Sequence, residues 1–210
     1  MPEESPPQPG RRERRKLEVH TRIYVAARAL FTEKGFDATT VDEIAEAADV
    51  APATFFNHFQ NKQALLGLMA QEVVEYLEAL TRRHLASNAS SAKRMRAFVA
   101  SAADEIRATR GIARVVLLEF MRSDAAPDEP HPYLARIHEP FVALIEEGQR
   151  QGEMRRDYDS AFLAQMAVGM LNSAITRWLA DPEYPVERGL IEATEFVLNI
   201  FQPRALPSET

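Results

Sequence analysis

Helical periodicity runs through nearly the whole sequence and limits the folds open to it. After residue 16, apolar side chains recur three or four positions apart in segment after segment. No alternating stretch is long enough to be a convincing β-strand. The pattern therefore predicts an all-α protein of about nine helices.

The first third of the chain predicts three helices in quick succession and a longer fourth one. The first is expected from Leu17 to Lys34. Thr40 and Glu43 have the spacing of a capping box, which starts a second helix of two turns. Pro52 suits the first turn of a short third helix, and Asn61 is placed to cap the fourth. Two short helices after a longer one are the ingredients of a helix-turn-helix.

The rest of the sequence predicts a helical body. Its candidate helices are 92 to 109, 112 to 122, 133 to 151, 160 to 180 and 186 to 201, and its clearest loop is "SDAAPDEPHP", 123 to 132. The predicted domains are a disordered basic arm (1 to 16), a helix-turn-helix module (17 to 63) and a helical regulatory and dimerisation domain (64 to 203).

Positive charge is concentrated at one end of an acidic protein. The net charge is −6, yet seven Arg or Lys stand between positions 11 and 28, against Glu13 and Glu18. A local excess of this kind indicates one anionic partner bound at that end. The alternative is a solvated tail, which we favour for the Pro-rich first ten residues.

Several function classes are disfavoured by what the sequence lacks. It has no cysteine, which excludes disulfides and thiol chemistry. It has no Gly-rich phosphate loop, nucleophile elbow or paired-carboxylate motif, so neither an enzyme activity nor a cofactor is predicted. The longest apolar run, 161 to 180, is interrupted by polar residues and predicts a buried helix rather than a membrane span. We therefore expect no membrane association and a cytoplasmic location.

The stretch "ADVAPATFFNHFQNK", residues 48 to 62, predicts a third helix with two unlike faces. Phe55 and Phe59 are four positions apart and are expected to be buried. The outer face is predicted to be short, polar and nearly uncharged, with Ala53, Thr54, Asn57 and His58. Such a surface fits the major groove of DNA, and Lys62 is placed to hold a phosphate. The alternative is a helical corner without a ligand.

Residues 22 to 66, "RIYVAARALFTEKGFDATTVDEIAEAADVAPATFFNHFQNKQALL", resemble the N-terminal module of the TetR family of transcriptional regulators. The matching elements extend in fixed register over some 45 positions. The stretch "EEGQRQGEMRRDYD" and the apolar helix after it also resemble the end of the family's regulatory domain. The resemblance implies a regulator that binds double-stranded DNA and is not an enzyme.

The resemblance also implies roles for single residues. Thr40 would cap the second helix and contact a phosphate, while His58 and Lys62 would lie at or near phosphates. The recognition helix would contribute Pro52, Ala53, Thr54 and Asn57.

Two positions depart from the family pattern. Phe56 stands where the family very often has a tyrosine whose hydroxyl binds phosphate, so it either makes apolar contact with DNA or packs inward. Val19 and His20 stand where many members have Thr-Arg before the first helix. The cluster from Arg11 to Lys16 would compensate if it formed a flexible arm in the minor groove, but we favour a solvated tail.

The last two predicted helices are the candidates for a dimer interface. One short recognition helix reads few bases, so specific binding is expected to need a homodimer on a palindromic operator. Both helices are apolar around much of their circumference and need something to cover them. The resemblance implies a four-helix interface. The predicted interface residues are Leu163, Leu171, Ile175, Trp178, Phe196 and Ile200.

The resemblance further implies an effector pocket between the fourth and eighth helices, for a small and largely apolar effector. Its candidate lining is Met69, Val73, Phe98, Ile106, Leu117, Phe120, Met121, Ile137, Phe141, Met166 and Met170, and plain core packing is the alternative for each. Arg107, Glu119, His131 and His138 are the polar groups placed to specify a head group. A metal site from Glu119, His131 and His138 matches no strong spacing, so no metal is predicted.

These features together predict a ligand-responsive repressor that its effector releases from the operator. The alternative is a helical protein-interaction module whose DNA-reading surface has degenerated. In that case, Phe56 in place of the usual tyrosine would reflect the loss of DNA binding.

Overall fold

The computed structural model describes residues 10–121 and 134–203. These ranges contain nine α-helices and no β-strand, which confirms the all-α prediction. The helices are α1 (Arg11–Lys34), α2 (Val41–Ala47), α3 (Pro52–Phe56), α4 (Lys62–Leu85), α5 (Ser91–Ala108), α6 (Arg110–Met121), α7 (Leu134–Arg150), α8 (Ser160–Ala180) and α9 (Val186–Phe201). The predicted loop at 123 to 132 lies outside the described residues.

The chain divides into two compact units. The first comprises Met1–Met69 and the second Ala70–Thr210. The predicted boundary at 63 falls inside the first unit, because α4 begins there and continues into the second.

The core of the first unit is formed by the inner faces of α1 to α4. α2 packs against both α1 and α3. The buried apolar side chains are Ile23, Ala27, Phe31, Ile44, Ala45, Ala48, Phe55, Phe59, Leu65, Leu66 and Met69. Every one of the four helices contributes to this core, which fixes the short helix α3 in its place.

α1 begins at Arg11, so the prediction of a disordered arm was wrong for residues 11 to 16. The Gly10 N–H donates to Glu13 Oε2 at 2.9 Å, and the Arg14 N–H donates to the Gly10 carbonyl at 3.0 Å. These bonds satisfy groups at the helix start, and Arg, Glu, Lys and Leu are strong helix formers. The prediction relied on apolar periodicity, which this exposed segment lacks.

The second unit has its own apolar core. α8 packs against α7 and α9, and α5 packs against α6, α7 and α9. The largest fully buried side chains of this unit are Trp178, Phe98, Phe201, Met95, Leu144 and Ile145. No helix in the part of the chain described is long and apolar enough to cross a bilayer.

Several residues predicted for a dimer interface are instead buried within this unit. Leu163, Leu171 and Trp178 belong to its core, and Ile175 is half-buried against it. An apolar helix can be covered by its own domain as well as by a partner, and here α7 and α9 cover α8. Of the predicted set, Phe196 and Ile200 remain exposed.

Candidate nucleic-acid interface

The start of α2 is held by the predicted capping box. Thr40 Oγ1 accepts a hydrogen bond from the Glu43 N–H at 3.2 Å, and the Thr40 N–H donates to Glu43 Oε2 at 2.8 Å. Lys34 Nζ lies 2.7 Å from Glu43 Oε1. The hydrogen bond from Lys34, followed by those from Thr40, lowers the pKa of Glu43 to about 2. The carboxylate therefore stays ionised at neutral pH and keeps α2 capped.

A tight turn joins α2 to α3. Asp49 has a φ of 52°, in the left-handed region that Asp tolerates better than most residues. Arg22 Nη1 lies 3.6 Å from the Asp49 carboxylate. Pro52 is the first residue of α3, as predicted, because its missing N–H costs nothing at that position.

α3 is anchored by the two predicted phenylalanines. Phe55 and Phe59 are both buried. Although α3 ends at Phe56, the N–H groups of His58 and Phe59 still donate to the Phe55 carbonyl at 2.9 Å each. The chain therefore continues one further turn, and Phe59 reaches the same face as Phe55.

The outer surface of α3 differs from the predicted one. Ala53 and Asn57 are exposed and lie opposite the buried pair. Thr54 and His58 are half-buried on one flank, so they are not the centre of this face. Phe56, on the other flank, is 57% exposed, with its ring 5.4 Å from that of Phe55 and edge-on to it. The inward-packed alternative for Phe56 was therefore wrong.

His58 has an electrostatic environment that opposes its protonation. Its Nδ1 is buried and has no hydrogen-bond partner in the described part of the chain, and its ring lies 6.1 Å from that of His20. Burial, followed by the charges of His20 and Lys16, lowers the pKa of His58. These surroundings favour the neutral form of the imidazole. His20 itself lies within α1, with its ring 4.5 Å from the Phe59 ring.

Lys62 makes contacts that sequence reasoning missed. Its ammonium donates to the carbonyl oxygens of Phe36, Asp37 and Thr39 at 2.8, 3.3 and 2.9 Å, and lies 4.5 Å from the centroid of the Phe36 ring. An ammonium has three donors, and all three are engaged. Lys62 therefore ties the start of α4 to the connection between α1 and α2. To bind a phosphate as predicted, it would have to give up one of these carbonyls.

Replacing Lys62 by methionine is expected to loosen the α1–α2 connection. Hydrogen bonds from a charged donor are worth about 1.5–3 kcal/mol, so amide protection over residues 36 to 47 is expected to fall tenfold or more. Hydrogen exchange with mass spectrometry measures this. The matched control is Lys93→Met, at an exposed position on α5, which should leave these amides unchanged. Unchanged protection, together with a smaller salt dependence of DNA binding, would instead identify Lys62 as a phosphate contact.

The residues predicted for the effector pocket fall into several environments. Phe98 and Phe141 are in the core of the second unit, with ring centroids 5.2 Å apart. Met69 is buried in the first unit, and Val73 is half-buried on α4. Five are partly buried against the second core: Ile106, Leu117, Ile137, Met166 and Met170. The side chains of Phe120 and Met121 are outside the described part.

Of the four predicted head-group residues, only Arg107 and His138 have side chains in the described part of the chain. Arg107 pairs with Asp104 at 2.9 Å on the exposed surface of α5. The Glu119 side chain and His131 lie outside the description. No group of three potential metal ligands occurs among the described residues.

The short helix α3 follows α2 after a tight turn and exposes one face to solvent. This arrangement defines a helix-turn-helix protein. The family model described as "Bacterial regulatory proteins, tetR family" matches residues 23–69. The model described as "YsiA-like protein, C-terminal region" matches residues 69–199. The chain belongs to the TetR family of transcriptional regulators, as the resemblance indicated.

Individual relatives agree with this assignment. The chain is 28% identical to the transcriptional repressor DhaR of Mycobacterium sp. (strain GP1) over 85% of its own length and 88% of that protein. It is 21% identical to the fatty acid metabolism regulator protein of Bacillus subtilis (strain 168), over 81% and 88% of the two chains. The crystal structure of Thermus thermophilus FadR, a repressor in complex with lauroyl-CoA, superimposes with a TM-score of 0.64, 25% identity and coverage of 91% and 99%. The chain is therefore a DNA-binding transcriptional regulator, and these homologues are regulators as well.

Proposed function

We propose that this chain is a homodimeric repressor that binds a palindromic operator through α3 and is released by a fatty acyl-CoA. The observation that carries the DNA-binding part is the exposed outer face of α3. Ala53, Phe56 and Asn57 face solvent, while Phe55 and Phe59 fix the helix from behind. Asn reaches base edges, and Ala and Phe offer apolar contact to thymine methyl groups. Thr40, Pro52, Thr54 and His58 remain predicted contacts.

A second copy of the chain is the partner that fits the exposed apolar side chains of α9. Ile191, Phe196 and Ile200 are exposed there although α9 packs against α5 and α8 with its other side. Phe162 on α8 is exposed as well. Burial of such side chains is the main driving force for stable association. A two-fold dimer would present two copies of α3 to two half-sites.

The acyl-CoA proposal rests on the relatives and on partly buried apolar side chains of the second unit. Thermus thermophilus FadR binds lauroyl-CoA and is 25% identical to this chain over most of its length. Ile106, Leu117, Ile137, Met166 and Met170 are apolar side chains that are only partly buried, and the two methionines are flexible. They suit an alkyl chain. This proposal replaces the small apolar effector expected from sequence, because a CoA thioester also carries a large anionic head.

Selection of bound duplexes from a random pool tests the DNA-binding proposal. We expect a palindrome whose half-sites lie about one helical turn apart. Failure to enrich any sequence over unselected DNA would contradict the repressor proposal and favour the protein-interaction module.

Lauroyl-CoA is then titrated into the complex of the protein with its selected operator, with free CoA and free laurate as controls. If lauroyl-CoA releases the protein from the operator and neither control does, the result supports a fatty acyl-CoA as the effector. No release, with intact DNA binding, rejects that class and leaves the operator proposal standing.

A further inference from the structure

The first two turns of α1 form an exposed basic helix. Residues 11 to 17 are all exposed, whereas Ile23, Ala27 and Phe31 further along the same helix are buried. The segment carries five cations, Arg11, Arg12, Arg14, Arg15 and Lys16, against Glu13. None of the five has a carboxylate ion-pair partner in the described ranges, 10–121 and 134–203. In a chain of net charge −6, this is concentrated, unneutralised positive charge.

Two of these cations lie on the side of α1 that faces the end of the recognition helix. Ile23, Ala27 and Phe31 define the side of α1 that packs against the rest of the first unit. With 100° per residue, Lys16 and Arg12 continue that side toward the N-terminus, and Arg11 and Arg14 lie away from it.

His20 links this side of α1 to the end of α3. Its ring lies 6.1 Å from that of His58 and 4.5 Å from that of Phe59. Lys16 is one turn before His20, and its charge is among the causes that lower the pKa of His58. Arg12 is one turn further, so the two cations extend the α3 surface by roughly 12 Å along the axis of α1.

We propose that Arg12 and Lys16, on the helical extension of α1, bind backbone phosphates of the operator that flank the half-site contacted by α3. This inference rests on the proposed DNA-binding function and adds a second contact surface to it. Phosphate contacts position a protein and strengthen its binding without reading sequence. The extension is already helical, so less conformational entropy is lost on binding than for a flexible arm.

The test compares two doubly substituted full-length proteins that lose the same charge. Arg12→Gln with Lys16→Gln removes the cations on the α3 side, and Arg11→Gln with Arg14→Gln removes cations on the far side. We expect the first pair to weaken binding to the selected operator about tenfold or more at 0.15 M salt. The slope of log K against log salt should fall by about 0.9 for each lost contact. The second pair should change both quantities far less.

Footprinting with hydroxyl radicals locates the contacts. The wild type should protect sugars outside the two half-sites, and the 12/16 variant should lose that protection while keeping the protection inside them. Equal weakening by both pairs would show a diffuse charge effect and overturn the inference, as would an unchanged footprint. If the wild type selects no sequence at all, the proposed function fails. If the wild type binds its operator and the 12/16 variant is unchanged, only this inference fails.

Discussion

Replacing Phe196 by aspartate is expected to convert the protein from dimers to monomers and to weaken operator binding at least a hundredfold. Phe196 is 60% exposed on α9, one turn before Ile200, which is exposed as well. A dimer would bury these side chains, and two carboxylates forced into that interface would be desolvated without partners. A monomer binds only one half-site. It therefore loses the gain in affinity, about 10²–10⁴-fold, that a dimer obtains because its second subunit is already close to the second half-site. Sedimentation equilibrium and a binding titration measure the two effects.

The control for this substitution is Leu118→Asp, which places the same charge at another exposed apolar position, on α6. It should leave the protein dimeric. Trp178 is the single tryptophan and is only 1% exposed within the second unit, so its emission reports folding of that unit. An unchanged emission maximum would show that the Phe196 variant is folded. A folded Phe196 variant that stays dimeric would contradict the α9 interface.

The example of α8 and α9 shows what an apolar pattern leaves open. The sequence identifies both helices as apolar around much of their circumference, and both were found with bounds of 160 to 180 and 186 to 201 as predicted. It does not say which side is covered by the chain itself. Leu163, Leu171 and Trp178 are covered by their own domain, while Phe196 and Ile200 are not. That distinction depends on tertiary packing, which periodicity does not encode.

Features that depend on residues close together in the sequence were predicted well. Thr40 and Glu43 are three residues apart and form the capping box, and Asn61 accepts the Ala64 N–H at 2.9 Å. The Lys62 contacts were missed because their partners lie 23 to 26 residues earlier in the chain. The helical start at Arg11 was missed for another reason. An exposed basic helix has no apolar stripe, so helix propensity is the sequence signal left to indicate it, and the Gly10–Glu13 bond that caps it is visible only in the structure.

Alanine at position 55 is expected to unfold the DNA-binding unit, whereas alanine at position 56 should leave it folded. The Phe55 side chain is completely buried in the core of the first unit, and truncating a buried phenylalanine costs about 3–5 kcal/mol. A unit with so small a core has little stability to lose. Hydrogen exchange over residues 41 to 59 should therefore approach the unfolded rate in Phe55→Ala. Operator binding should be lost with it.

Phe56→Ala is the matched variant, since it removes the same atoms one position along. Phe56 is 57% exposed, so unfolding free energy should change by no more than about 0.5 kcal/mol. We expect operator affinity to fall several-fold all the same, because the ring would lose its apolar contact with DNA. Phe56→Tyr adds one hydroxyl at the tip of that ring and should keep or raise affinity through a phosphate hydrogen bond. If Phe56→Ala bound DNA as tightly as the wild type, Phe56 would not be a DNA contact. The two adjacent phenylalanines thus separate folding from DNA binding, since only the first is part of the core.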